Sequence, residues 1–208
     1  MEIQFHGANC ITITTKQARL NIDDNLTDLG AKSVAKEGDV ALFTGLHAEP
    51  GHTPKLLLDQ PGEYEVSGVS IYGIAARSHM DEQGKKSTTM YKLIMDDIRL
   101  LITGHVYPEL TDAQLEQIGT IDVMLVPVGG SGYTLDGIGA LKLIKKIEPK
   151  LVIPTHYAND KLQFPVPEQS LEQALQGLAM EPKETVAKLK LKPIDLGDTT
   201  QLIVLEQP

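Results

Sequence analysis

Residues 122–156 read DVMLVPVGGSGYTLDGIGALKLIKKIEPKLVIPTH, and this stretch decides the fold class. Asp122–Val128 is a nearly continuous apolar run, the pattern of a strand buried on both faces. A helix is expected over roughly Thr134–Glu148. There Ala140, Leu143, Ile144 and Ile147 fall at 0, 3, 4, 7 spacing and make one apolar face, with Lys142, Lys145 and Lys146 largely outside. Leu151–Ile153 is the next strand. Residues 122–154 therefore form a βαβ unit, a layered arrangement in which the helix covers the sheet.

On the N-terminal side the chain reads as a series of short strands. Glu2–Phe5, Cys10–Thr15 and Ala18–Ile22 carry β-branched or alternating patterns, and Asp39–Phe43, Lys55–Leu58, Tyr64–Val66 and Val69–Ala75 continue them. Thr89–Met95 and Ile98–Thr103 flank Asp96-Asp97, a two-residue hairpin turn without its usual glycine. Thr111 and Gln114 form a capping box and Leu110 with Leu115 a hydrophobic staple, so a short helix starts there and stops at Gly119. Beyond the βαβ unit, an amphipathic helix over about Glu168–Leu178 turns Leu171, Ala174, Leu175 and Leu178 inward. Strands Thr185–Leu191 and Gln201–Leu205 close the chain. Many strands, then βα alternation, give an α/β (α+β) layered fold, expected as one domain over residues 1–208.

Composition narrows the function classes. Of 208 residues 41% are hydrophobic, enough for a real core, but aromatics are only 4% and Trp is absent, so Ile, Leu and Val must build it. Lys and Arg number 19 against 28 Asp and Glu, a net charge of −9, which disfavours a non-specific nucleic-acid binder or a cationic membrane-surface protein. Cys10 is the one cysteine and excludes both an intrachain disulfide and a Cys-based zinc site. No apolar run approaches the roughly 18–20 residues of a membrane span. The opening Met1-Glu2-Ile3-Gln4-Phe5-His6 lacks the basic-then-apolar profile of a signal peptide, and a cytoplasmic location is expected.

Four of the six histidines fall a few residues past the C-terminal end of an expected strand: His47, His79, His105 and His156. That is where open α/β sheets gather their functional side chains. Neutral imidazoles converging from separate strands make a zinc-type site; the plainer reading is that loops simply tolerate histidine.

Several landmarks resemble, in order, the metallo-β-lactamase-fold hydrolases, and in particular the compact branch similar to ascorbate-6-phosphate lactonase. They are Phe5-His6-Gly7-Ala8-Asn9-Cys10, Ile22-Asp23, Pro61-Gly62-Glu63-Tyr64-Glu65-Val66, Ser78-His79-Met80-Asp81, Pro127-Val128-Gly129-Gly130 and Ile153-Pro154-Thr155-His156-Tyr157. The resemblance covers most of residues 1–160 and implies an αββα sandwich with a metal site at one sheet edge. It departs from the family at the hallmark His-x-His-x-Asp-His, which falls on Gly45-Leu46-His47-Ala48-Glu49-Pro50. Only His47 keeps a ligand type there, and Glu49 stands at the Asp position. His79 and His156 match later family ligands, while His105 stands where the family has a metal-bridging carboxylate. An imidazole has one free lone pair and cannot bridge two cations. The resemblance thus implies one Zn²⁺ or similar transition metal per chain, or none, held by His47, His79, His105 and His156.

Glu49 reads either as a general base on a metal-bound water or as a solvated loop carboxylate. His6 reads as packing or as a substitute ligand, since Ala8 holds the place of a family histidine; His52 reads as an exposed loop residue. Gly129-Gly130-Ser131-Gly132 is either a plain turn or an anion cradle. Lys188, Lys190 and Lys192, alternating with Leu189 and Leu191, mark a protected edge strand. Two functions are expected to compete. One is a metal-dependent hydrolase of a small ester, lactone or phosphodiester; the other is a non-catalytic scaffold binding a small-molecule ligand or a partner. No nucleic acid or membrane partner is expected of either, and a nuclease is the weaker third.

Overall fold

The computed structural model describes residues 1–45, 49 and 52–207. In chain order its strands are β1 (Glu2–Gly7), β2 (Cys10–Thr14), β3 (Arg19–Ile22), β4 (Val40–Leu42), β5 (Leu56–Leu58), β6 (Gly62–Val66) and β7 (Val69–Ala76), then β8 (Thr88–Met95), β9 (Ile98–Ile102), β10 (Val123–Pro127), β11 (Leu151–Thr155), β12 (Glu184–Val186), β13 (Leu189–Lys190) and β14 (Gln201–Leu205). The helices are α1 (Asp112–Ile118), α2 (Gly137–Ile147) and α3 (Leu171–Leu178). Two sheets form, ordered β13-β1-β2-β3-β4-β5 and β12-β14-β11-β10-β9-β8-β7-β6. One apolar cluster runs between them, from Ile3, Ile11 and Leu20 of the first sheet to Ile71, Leu93, Leu125 and Ile153 of the second. This is the α/β sandwich expected from the sequence.

The βαβ unit forms as read. β10 and β11 pair in parallel from Val123↔Leu151 to Pro127↔Thr155, and every residue of both is buried, as the unbroken apolar runs require. The helix between them is shorter than its apolar face suggests. Asp136, not Thr134, accepts the Gly139 N–H at 2.7 Å and sets the start, while Thr134 is itself buried. The Thr111/Gln114 box is made with both of its bonds. The β8–β9 hairpin closes through Asp96 and Asp97, both left-handed at φ +48° and +59°, which short acidic side chains tolerate.

Two further boundaries differ from expectation. The last helix begins at Leu171, because Ser170 caps it and Gln173 completes a second capping box, so Glu168 lies in the preceding loop. Thr185–Leu191 is two strands: β12 runs parallel to β14 in the second sheet, and β13 runs antiparallel to β1 at the edge of the first. The chain changes sheets at Ala187-Lys188, which alternation along one strand cannot express. Lys190 is exposed on that edge, as a protected edge strand requires. On the outer face of the first sheet, Cys10 packs with Ala8, Leu26 and Leu162 as a small apolar residue, and burial pushes its thiol pKa up. No helix among the described residues is long and apolar enough to cross a membrane.

Asp122 ties the bases of three parallel strands. Its N–H donates to the Arg99 carbonyl at 2.8 Å, its carbonyl accepts from Leu151 at 2.9 Å, and its carboxylate accepts from Arg99 Nε at 2.8 Å, Arg99 Nη2 at 2.9 Å and the Arg99 N–H at 3.0 Å. Lys150 Nζ lies 3.1 Å away. Burial alone would raise this carboxyl; the bonds from Arg99 and Lys150 outweigh it and hold the pKa at about 2. Because that is below the roughly 3.9 of an unfolded Asp, the pair stabilises the fold above about pH 4 and the contribution is lost as pH falls through 2. Urea unfolding of wild type and Asp122→Asn should therefore differ by about 2 kcal/mol more at pH 6 than at pH 2. A difference independent of pH would show that the ion pair contributes nothing.

Candidate functional site

Parallel strands that end together deliver whatever follows them to one edge of the sheet. β9 ends at Ile102, opposite Leu125, and β11 ends at Thr155, opposite Pro127. His105 follows the first and His156 the second. Their rings meet edge to face, centroids 4.7 Å apart at 85°. Tyr133 packs 4.8 Å from His105, and Phe164 packs 5.3 Å from His156. Both imidazoles line a cavity of about 770 Å³, shared with Asn9, Asp23, Thr44 and the rim residue Met80, which is 68% exposed.

The cavity floor is built where the two sheets touch. His156 has φ +55° and donates its N–H to the Ala8 carbonyl at 2.7 Å; Ala8 is left-handed too, at φ +48°. Thr155 Oγ1 donates to Asn9 Oδ1 at 2.9 Å, which leaves Asn9 Nδ2 buried without a partner. Gly104 is left-handed at φ +59° and has to be glycine, because a Cβ there would collide with the Thr44 side chain. Thr44 in turn holds Asp23: its N–H donates to Oδ1 at 2.6 Å and its hydroxyl to Oδ2 at 2.7 Å.

Electrostatics at this floor follow from burial. His105 is pushed down to about 3, first by burial and then by the charge of His156; the Tyr133 carbonyl opposes this, and His79 adds a smaller push downward. His105 is a neutral imidazole at neutral pH. Asp23 is pushed up to about 6 by burial, opposed by the two Thr44 bonds and by His156.

The sequence-derived candidates separate. His105 and His156 come together. The His79 N–H bonds the His105 carbonyl at 2.7 Å, so their backbones adjoin; the His79 ring rests 5.7 Å from Tyr107, its buried Nδ1 without a partner. Glu49 is exposed and borders a separate cavity of about 100 Å³ with His52. His47 and Pro50 lie outside the described residues. His6 bonds Thr12 Oγ1 at 2.9 Å, a packing role. The glycine loop at 129–132 holds no open cradle against the sheet: a Cβ on Gly129 would collide with the Glu168 carboxylate, so the anion beside it is the chain's own. Asp81 accepts from the Ser78 N–H, the Ser87 N–H and the Ser87 hydroxyl, and closes the loop that carries His79.

Sequence reasoning gave no role to Asp23, Asn9 or Glu168. Asp23 carried a signal, Ile22-Asp23 at the end of an apolar strand; Asn9 and Glu168 carried none that periodicity could expose. As a metal centre the site is incomplete among the described residues. Two buried imidazoles adjoin, their Nδ1 atoms unpartnered, and no three His, Cys, Asp or Glu side chains are grouped to hold an ion.

A two-sheet sandwich with paired histidines at the strand ends and a cavity above them defines the class of metallo-β-lactamase folds. Residues 2–156 match the model of the beta-lactamase superfamily domain, and the chain belongs to that family. It is 34% identical over 101 residues to a UPF0173 metal-dependent hydrolase of Pyrococcus horikoshii, a match covering 46% of this chain and 44% of that protein. It thus spans less than half the length of that relative. A second UPF0173 metal-dependent hydrolase, from Thermoplasma acidophilum, is 24% identical over 190 residues, covering 76% of this chain and 83% of that one. The fold is similar to that of a metallo-β-lactamase superfamily protein from Thermotoga maritima, with TM-score 0.76, 23% identity and 99% of each chain covered.

Asp23 gives a test of the site's electrostatics. Its folded pKa, about 6, lies above the roughly 3.9 of an unfolded Asp, so folding favours the protonated form. Its ionisation costs nothing below about pH 4, and the cost is complete once pH has risen through 6. In chelator-treated protein, Asp23→Asn should gain on wild type by up to about 3 kcal/mol between pH 4 and pH 8, read by urea unfolding. A constant difference would mean that Asp23 is already ionised at pH 4.

Proposed function

We propose that the protein is a metal-dependent hydrolase acting on a small ester, lactone or phosphodiester. The observation that carries this reading is the edge-to-face pair of buried His105 and His156 at the floor of a cavity of about 770 Å³. His105 and His156 would supply two nitrogens to one transition-metal ion, zinc by ligand type, and His47 a third. The relatives from Pyrococcus and Thermoplasma, named metal-dependent hydrolases, support the metal. When bound, such an ion lowers the pKa of water and polarises the substrate's carbonyl or phosphoryl oxygen.

The chain's own groups divide the remaining work. Asn9, its Oδ1 held by Thr155, keeps Nδ2 free to donate to a substrate oxygen. Asp23, with a pKa of about 6, is placed to take a proton near neutral pH through the lone pairs that Thr44 leaves open. Tyr133 and Phe164 give the cavity apolar walls to face a small acyl or alkyl group, with Met80 at its rim. His79, resting on Tyr107, and Glu49, on the separate cavity, take no direct part in this assignment. A single ion fits the chain's chemistry, because His105 offers one lone pair where a bridging carboxylate would offer two oxygens.

A scaffold that binds a ligand without turnover is the second reading. Gly45 and Pro50, standing where the family's hallmark carries ligands, favour it. Elemental analysis of untagged protein purified without chelator, with an ester, lactone and phosphodiester panel, separates the two. About one ion per chain, lost in His105→Ala and His156→Ala but kept in His79→Ala, with turnover lost alongside, is the expected result. Fully metallated protein without turnover on the panel would favour the scaffold, and two tightly held ions would refute the single-ion site.

A further inference from the structure

The Glu168 side chain is 0% exposed, and neither of its oxygens has a hydrogen-bond partner among the described residues. A buried carboxylate left alone is costly, so native structures match such groups with a donor. The group facing it is His156 Nδ1, 3.5 Å from Oε2, itself buried and without another partner. The fit is built in from several sides. Gly129 leaves the space that the carboxylate fills. Gln169 N–H donates to the Gly129 carbonyl at 2.8 Å, Ala158 N–H to the Gln169 carbonyl at 2.9 Å, and Ser131 Oγ to the Pro167 carbonyl. The loop bearing Glu168 is thereby pinned against the strand end bearing His156.

We propose that Glu168 is the positioning residue for His156, holding its imidazole in the Nδ1–H form and turning the Nε2 lone pair to the cavity. A neutral imidazole donates from one nitrogen and accepts at the other, so an acceptor fixed behind Nδ1 selects which nitrogen faces forward. Both oxygens of an ionised Glu168 accept only, and Nδ1, 3.5 Å from Oε2, is the group placed to donate to one of them. A carboxylate behind a histidine in this way raises its basicity and fixes its ring, which is what a ligand or a proton acceptor at the cavity floor needs. The inference deepens the proposed site and rests on it for the use of Nε2; the tautomer itself does not depend on any metal.

The experiment is a long-range ¹H–¹⁵N correlation spectrum of ¹⁵N-histidine-labelled, metal-free protein at pH 7.5, with the His156 signals assigned by their loss in His156→Gln. Wild type should show the Nδ1–H tautomer at His156. Glu168→Met, which removes both oxygens at similar length, should lose it, while Glu168→Gln, whose amide oxygen can still accept, should keep it in larger part. The His105 signals should stay unchanged in both, which a merely unfolded or loosened variant would not allow. If Glu168→Met fails to fold, the wild-type tautomer decides alone. Nε2–H at His156 in wild type, or a tautomer unaltered by Glu168→Met, would overturn the proposal. Zinc titration of the same proteins should show affinity about 10–100-fold weaker in Glu168→Met. A wild type that binds no zinc yet shows Nδ1–H would sink the metal reading and leave the positioning role standing.

Discussion

One hydrogen bond, from the His156 N–H to the Ala8 carbonyl at 2.7 Å, joins the two sheets at the point where the cavity begins. As an energy it is small, about 1 kcal/mol net. As a constraint it is large, because both residues must be left-handed to make it, and each then sends its chain in a direction that an extended strand would not take. His156 turns out of β11 towards His105, and the turn at Ala8 brings Asn9 under Thr155. Shift either strand end by one residue and every side chain behind it changes face, so the pairing of Pro127 with Thr155 and the apolar core beneath it are what keep the two histidines together.

Much of this architecture was legible in the residues. Apolar runs over Asp122–Val128 and Leu151–Ile153 said that two strands are buried on both faces, and the face made by Ala140, Leu143, Ile144 and Ile147 said what covers them. Local chemistry also spoke clearly where a side chain satisfies its own backbone, as at Thr111 and Gln114. It was silent where the partner is distant. Alternating Lys and Leu from Lys188 to Lys192 announces an edge strand, but the sheet it joins is set by Met1 and Glu2 at the other end of the chain. Helix starts shifted for a related reason: Thr134 is drawn into the core, which leaves the cap to Asp136.

The site was legible to the level of the backbone and no further. Histidines after strand ends can be counted in a sequence, and His105 and His156 do share one edge. Which way a ring points is a matter of tertiary packing, and Tyr107, beneath the guanidinium of Arg77 at 3.9 Å, provides the surface on which His79 settles. Glu49 borders a different cavity, a placement that its spacing from β4 does not announce. Glu168 was invisible for another reason still. It arrives from a loop after Phe164-Pro165, and its only sequence correlate is a glycine, Gly129, whose missing side chain makes room for it.

These placements also settle the balance of charge at the floor. Two imidazoles 4.7 Å apart disfavour being cationic together, and burial drives His105 further toward neutrality. Asp23 and Glu168 then bring carboxylates to the same buried shell. Asp81, on the opposite wall, has Lys85 at 3.7 Å, but the described residues give Asp23 and Glu168 no Lys or Arg partner. Such a floor is eased by protonation of a carboxylate, by an N–H aimed at one, or by a cation that enters. The raised pKa of Asp23 is the first of these, the contact between Glu168 and His156 Nδ1 is the second, and a single divalent ion on the paired imidazoles would be the third. The neutral His105 imidazole adds no negative charge there, so Asp23 and Glu168 alone set the charge that a cation entering the floor would meet.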